Sequence, residues 1–201
     1  MRYDAIVLAG GSSRRMGGGD KTALTVAGVA LLDRVLAAVV GGETRVVVGE
    51  RRPTLAPVIW AREEPVGGGP AAALAAGLAF VTAPLVVVLA GDLPFVDADS
   101  VQALVTAVRS AAVDGAVAVD GVAADGAVAV DDAGAPQWLC GAWRTDALRR
   151  LVAAQPVEGL ALRRLFTGAS YDMISLAGAG GREPWFDCDT PDDLARAKER
   201  R

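Results

Sequence analysis

The feature that most constrains this chain is a short apolar run, residues 3–9, that breaks at once into glycine: Tyr3-Asp4-Ala5-Ile6-Val7-Leu8-Ala9-Gly10-Gly11-Ser12-Ser13-Arg14-Arg15-Met16-Gly17-Gly18-Gly19-Asp20-Lys21. A run that is apolar almost throughout reads as a strand buried on both faces, and such strands belong to parallel sheets covered by helices. The pattern continues downstream. Helices are predicted over 31–40, 70–80 and 99–112, and strands over 45–48, 57–60, 85–90 and 115–119. After Asp120 the connections lengthen, with strands predicted at 126–130, 137–143 and 171–175 and helices at 145–153, 159–166 and 191–198. Residues 121–135 are rich in Ala, Gly, Val and Asp and read as a hairpin or surface segment. The expected fold is α/β, a three-layer αβα sandwich around a mainly parallel, Rossmann-like sheet with an antiparallel C-terminal portion, in a single domain over 1–201.

Composition narrows the chemistry. There is no histidine, which removes imidazole acid–base catalysis, Ser-His-Asp arrangements and the usual zinc enzymes. The two cysteines, Cys140 and Cys188, make neither a four-cysteine zinc site nor a disulfide framework and read as small packing residues. A formal net charge of −4 argues against general nucleic-acid binding. No secretory leader pattern and no apolar run near the ~20 residues of a membrane span are visible, so a soluble, cytoplasmic protein is expected.

The glycine segment is the strongest functional signal. Ligands of open α/β sheets bind beyond the carboxyl ends of the strands. Glycines let the backbone approach and aim several N–H groups at phosphate oxygens, while Arg15 and Lys21 add full positive charge. The segment lacks the Gly-Lys-Ser/Thr of a Walker loop, and its glycines are misspaced for a dinucleotide fingerprint. A triphosphate site is expected from Leu8, Ala9, Gly10, Gly11, Ser13, Arg15 and Lys21. Asp92 follows the predicted strand 85–90 directly and is placed to hold Mg²⁺, although it could instead cap a turn before Pro94. Asp187 and Asp189 alternate along an extended stretch, so both carboxylates share one face and form a second metal-ligand pair. Asp189 or Thr190 could equally cap the helix that begins near Pro191.

The pattern Leu8-Ala9-Gly10-Gly11, then Ser13, Arg15-Met16-Gly17 and Asp20-Lys21, resembles the signature of nucleotidyltransferases that activate sugars and cofactors, and most closely the molybdenum cofactor guanylyltransferases. Gly10, where related cytidylyltransferases tend to have alanine, favours the guanylyl branch. The likeness extends to the Gly69-Pro70 turn, Gly91-Asp92 and Asp189-Thr190-Pro191. It implies a Mg²⁺-dependent transfer of GMP from GTP to the phosphate of molybdenum-molybdopterin, with Arg15, Lys21 and Asp92 as catalytic residues. Asp187 and Asp189 stand where the family often has asparagine. The family also has an acidic guanine contact shortly before its Gly-Pro turn; Glu63 and Glu64 are the candidates here, offset by about one residue, and Glu64 is preferred. Transient contact with molybdenum-cofactor insertion proteins, and a monomer or weak homo-oligomer, are further expectations. A cytidylyltransferase of the same cofactor, a sugar-phosphate nucleotidyltransferase and a non-catalytic nucleotide-binding regulator are the rivals. Trp138, Trp143 and Trp185 could stack on a pterin, but buried packing is the commoner role. Arg144 and Arg182 could meet a pterin phosphate, with exposed charge the plainer reading.

Overall fold

A computed structural model describes residues 2–10, 21–113 and 124–200, with the side chains of 111–113 excepted. Most of the glycine segment, including Gly11, Ser13 and Arg15, and the strand predicted at 115–119 lie outside the described residues.

The described strands are β1 (Tyr3–Leu8), β2 (Thr25–Val26), β3 (Val29–Ala30), β4 (Arg45–Val48), β5 (Ile59–Ala61), β6 (Leu85–Ala90), β7 (Gly126–Val130), β8 (Pro136–Arg144) and β9 (Tyr171–Ile174). The α-helices are α1 (Leu31–Ala38), α2 (Pro70–Leu78), α3 (Ala98–Val113), α4 (Thr145–Ala153), α5 (Leu162–Leu165) and α6 (Pro191–Glu199). Seven strands form one sheet in the order β5-β4-β1-β6-β8-β7-β9. β5, β4, β1 and β6 run parallel to one another. β8 is antiparallel to both of its neighbours, and β9 is again parallel to β7. The antiparallel portion expected near the C-terminus is therefore a single strand threaded into an otherwise parallel sheet. The β7–β8 hairpin accounts for the described part of 121–135. Its turn is held by Asp131, whose Oδ1 accepts the Ala133 and Ala135 N–H groups at 3.0 and 2.8 Å.

Alternation along β1 divides the core. Ala5 and Val7 face a cluster with Leu32, Val35 and Leu36 of α1 and Val101, Leu104 and Val108 of α3. Ile6 and Leu8 face Leu74 and Leu78 of α2, Leu148 of α4 and Leu165 of α5. Helices thus cover both faces, as the doubly apolar strands require. Asp4 is the exception inside β1: it is fully buried. Its Oδ1 accepts the Thr44 N–H at 2.9 Å, and its Oδ2 accepts the Thr82 and Ala83 N–H groups at 2.7 and 2.8 Å. This satisfies the carboxylate where burial would otherwise be costly.

A third, smaller cluster joins Val26, Leu31, Phe95, Phe186, Cys188 and Ala197, with Leu24 and Leu194 packed against it. It docks α6 and the β2–β3 hairpin beside the carboxyl end of β6. The hairpin's two-residue strands and its turn through Ala27 and Gly28, both at positive φ, were not expected from the sequence. α5 is shorter than the predicted 159–166 helix because Gly159 adopts φ +69°, outside helical space.

Candidate functional site

The parallel register places Leu8 opposite Val48 and Ala90, and Val48 opposite Ala61. Four strands therefore end on one edge, and their loops leave from it together. Hydrogen bonds carry the ladder one residue further: Ala9 N–H to Val48 O at 2.8 Å, Gly49 N–H to Ala61 O at 3.0 Å and Gly91 N–H to Leu8 O at 2.9 Å. Gly49 has φ +153°, and a Cβ there would lie 2.9 Å from the Ala9 carbonyl carbon and 3.0 Å from Gly10 N. Only glycine lets β4 turn away so close to the start of the β1 loop. Leu8 and Ala9 are buried and Gly10 is exposed.

Lys21, Asp92 and Asp189 meet at this edge. Lys21 opens a 3₁₀ turn, Lys21–Ala23. Its Nζ lies 3.1 Å from Asp92 Oδ2 and also donates to Asp189 Oδ1. Asp92 is set by the end of β6, and Asp189 by the approach to α6. A backbone bond ties the two carriers together, Cys188 N–H to Asp92 O at 3.2 Å. The cap of α6 falls to Thr190, whose hydroxyl accepts the Asp193 N–H while Asp193 accepts the Thr190 N–H. The Asp189 carboxylate turns to the Lys21 ammonium.

The electrostatics follow from crowding. Burial raises the Asp92 carboxyl above its ordinary range, against the pull of Lys21. Burial, then the Asp189 and Asp92 charges, push Asp187 up to about 6. For Lys21 burial works to lower the pKa, but its bonds to Asp189 and Asp92 outweigh it and leave the ammonium held above the usual value. Two carboxylates converging on one cation are a donor set that fits a hard metal ion, since Mg²⁺ takes one or two carboxylates and completes its shell with phosphate and water oxygens. Among the described residues no group of three or more His, Cys, Asp or Glu side chains is placed to hold a metal.

The other candidates divide. Glu63 accepts the Gly67 N–H at 3.2 Å, closing the turn that leads to Gly69 and α2, while Glu64 is exposed. Trp143 is fully buried and stacks on Phe166 with centroids 4.2 Å apart. Trp138 stacks on the same ring at 5.1 Å, and Trp185 is partly buried against the α1–α3 core. These are packing roles. Arg144 is not an exposed charge: it donates to Ala124 O at 3.0 Å and Val108 O at 3.2 Å, bracing β8 against α3. Arg182 donates to Ala179 O at 2.7 Å and lies over the Phe95 ring. Burial pushes the Cys140 and Cys188 thiols up to about 12, which leaves both unreactive. One contact was missed from the sequence. Arg52, in the loop after β4, donates to the hydroxyl of Thr22, the residue after Lys21. Nothing in local patterning distinguishes Arg52 from its neighbour Arg51.

Comparison with known proteins shows the family and the fold. The MobA-like NTP transferase domain matches residues 5–173. A molybdenum cofactor guanylyltransferase of Mesorhizobium japonicum is 31% identical, covering 98% of this chain and 96% of its own. The molybdenum cofactor guanylyltransferase of Rhodobacter capsulatus is 30% identical, covering 100% and 97%. Among solved structures, the molybdopterin-guanine dinucleotide biosynthesis protein A of Archaeoglobus fulgidus superposes with a TM-score of 0.70 at 21% identity, covering 98% of this chain and 97% of its own. The 2-C-methyl-D-erythritol 4-phosphate cytidylyltransferase of Thermus thermophilus superposes with a TM-score of 0.71 at 20% identity, covering 99% and 98%. At such identities the two structures speak for the fold alone. No helix among the described residues is long and apolar enough to cross a membrane.

Proposed function

The chain belongs to the MobA-like NTP transferase family and is a nucleotidyltransferase, and from that premise we propose that it transfers GMP from GTP to the phosphate of molybdenum-molybdopterin. An acceptor phosphate oxygen attacks the α-phosphorus, the bond from the α-phosphorus to the β-phosphate oxygen breaks, and pyrophosphate leaves. The products are the molybdopterin guanine dinucleotide form of the cofactor and pyrophosphate. The acceptor is already an anion at neutral pH, so no general base is needed, in keeping with a chain that has no histidine. Catalysis then rests on positioning and charge neutralisation.

The observation that carries the reading is the gathering of Asp92 and Asp189 on Lys21 at the carboxyl ends of β1 and β6. In the proposed reaction Asp92 and Asp189 would hold Mg²⁺, which would polarise the phosphoryl oxygens and offset their charge. Lys21, together with Arg15 from the glycine segment, serves the leaving pyrophosphate. Leu8, Ala9, Gly10, Gly11 and Ser13 supply the main-chain cradle at the end of β1. Glu64, exposed on the loop beyond β5, accepts the N1–H and amino protons of guanine, a donor pair that neither cytosine nor adenine offers. A cytoplasmic location accords with these substrates.

The test is incubation of the protein with Mg²⁺ and molybdate-loaded molybdopterin, with GTP and CTP in parallel, followed by mass analysis. The expected result is the guanine dinucleotide and one pyrophosphate per turnover with GTP. A cytosine dinucleotide in its place would move the chain to the cytidylyl branch; pyrophosphate with neither nucleotide would remove the reading.

A further inference from the structure

Lys21 already shares its charge between two carboxylates, and a third, Asp187, adds to the negative field around them. A triphosphate arriving at this edge needs positive charge beyond Lys21. The fold delivers one from an unexpected direction. β4 leaves the sheet at Gly49, pressed against the Ala9–Gly10 peptide, and the chain beyond it, residues 49–52, stays on the same edge. Arg52 then reaches across to the Thr22 hydroxyl, with its Nε near Glu50 O at 3.4 Å. Thr22 is itself fixed: it is buried, and its Cγ2 would stand 3.1 Å from a Cβ at Gly91. The guanidinium is therefore tethered to the residue after Lys21, which itself packs against Gly91, the residue before Asp92.

We propose that Arg52 is a phosphate-binding residue of this site, exchanging Thr22 for the β- and γ-phosphate oxygens of the bound nucleoside triphosphate. A guanidinium offers a planar fork of charged donors that matches phosphate oxygens. The exchange would make the Thr22 contact a resting position. This inference depends on the nucleotide site proposed above and adds to it a group that distinguishes tri- from monophosphate.

Titration calorimetry with GTP and GMP in Mg²⁺, on the full chain and on Arg52→Gln, Arg52→Lys and Thr22→Val, tests it. Arg52→Gln is expected to weaken GTP binding roughly ten- to a hundredfold and to leave GMP within about twofold. Arg52→Lys should recover part of the loss, because charge returns without the fork. Thr22→Val removes the hydroxyl contact but not the cation, and should keep GTP binding within a few-fold. Equal weakening of GTP and GMP by Arg52→Gln, an unchanged GTP affinity, or a loss matched by Thr22→Val would each overturn the role, the last by showing that the contact is only a brace. If the wild-type chain binds neither nucleotide, the site itself is misassigned and Arg52's role falls with it.

Discussion

Replacing Lys21 by methionine keeps the length of the side chain and removes its charge from between Asp92 and Asp189. The gross attraction across the 3.1 Å contact to Asp92 is about 5 kcal/mol at an effective dielectric near 20. Both partners are largely buried, with side chains 18% and 15% exposed, and leaving a buried charge unpaired typically costs about 3–5 kcal/mol. Asp189 is 44% exposed, so solvent screens its share and it adds little. Hydration of the orphaned carboxylates offsets part of the cost, and a net loss of about 2–4 kcal/mol is expected in metal-free buffer. For a chain of this length that corresponds to a fall in thermal midpoint of roughly 5–15 °C. The same variant should lose at least about a hundredfold in GMP transfer, since one donor to a developing oxyanion is worth that much. Thermal melts with EDTA and with Mg²⁺ provide the decisive assay: if the two carboxylates form a cation seat, Mg²⁺ should return more stability to Lys21→Met than it adds to the wild type. A variant as stable as the wild type in EDTA would show that the ammonium is not what holds the carboxylates together. Destabilisation untouched by Mg²⁺ would refute the seat.

Three further outcomes are expected. Asp4→Asn leaves an amide nitrogen facing at least one of the three backbone N–H groups that the carboxylate now satisfies; urea denaturation should show a loss of about 2–4 kcal/mol, while kcat/KM of the folded enzyme stays unchanged because the residue sits at the opposite end of β1. Gly77→Ala places a Cβ 2.8 Å from Ile6 Cγ2 and 2.9 Å from Val48 Cγ2, so overpacking of about 1–3 kcal/mol should exceed the roughly 1 kcal/mol that alanine gains in a helix, and a stabilised variant in the same assay would contradict the close seating of α2. For Asp97, burial acts to raise the carboxyl pKa, but bonds from the Ser100 hydroxyl and N–H, the Ala179 N–H and the Arg182 charge outweigh it and hold it below the ordinary value; its contribution is therefore complete above the unfolded carboxylate range and lost as pH falls through the lowered folded value, so Asp97→Asn should flatten the acid limb of a stability-versus-pH curve below about pH 4, and an unchanged limb would contradict the assignment.

What was legible in the sequence was what local pattern controls. β6 and β7 were read residue for residue, and so was α4, because continuous apolar runs and a 3.6-residue stripe are strong signals over such lengths. Asp92 was legible because it follows an apolar strand directly and so lies at its carboxyl end. The β2–β3 hairpin was not, since strands of two residues carry no period. The helix predicted at 159–166 was overextended because composition does not reveal that Gly159 sits at positive φ. Arg144 was misread as surface charge: a lone arginine at the end of a strand looks the same whether it meets water or two carbonyls. Asp4 stands as a carboxylate inside an apolar strand, where burial forces it into a full set of hydrogen bonds.

The part of the site that no local pattern carries is the meeting of Lys21 with Asp189, which are 168 residues apart. Their encounter depends on the third apolar cluster. Cys188 and Phe186 point into it from the C-terminal segment, Val26 and Leu31 from the segment that follows Lys21, and Phe95 from the loop after Asp92. Alternation along the extended stretch does the rest: with Cys188 inward, Asp187 and Asp189 must face the other way, and the Cys188 N–H bond to Asp92 O sets their height along the edge. A cluster of modest size thus fixes the three chain segments that carry Lys21, Asp92 and the Asp187–Asp189 pair. Apolar packing thus brings the segments together, and the Lys21 ammonium then offsets the repulsion between the Asp92 and Asp189 carboxylates that this packing sets side by side.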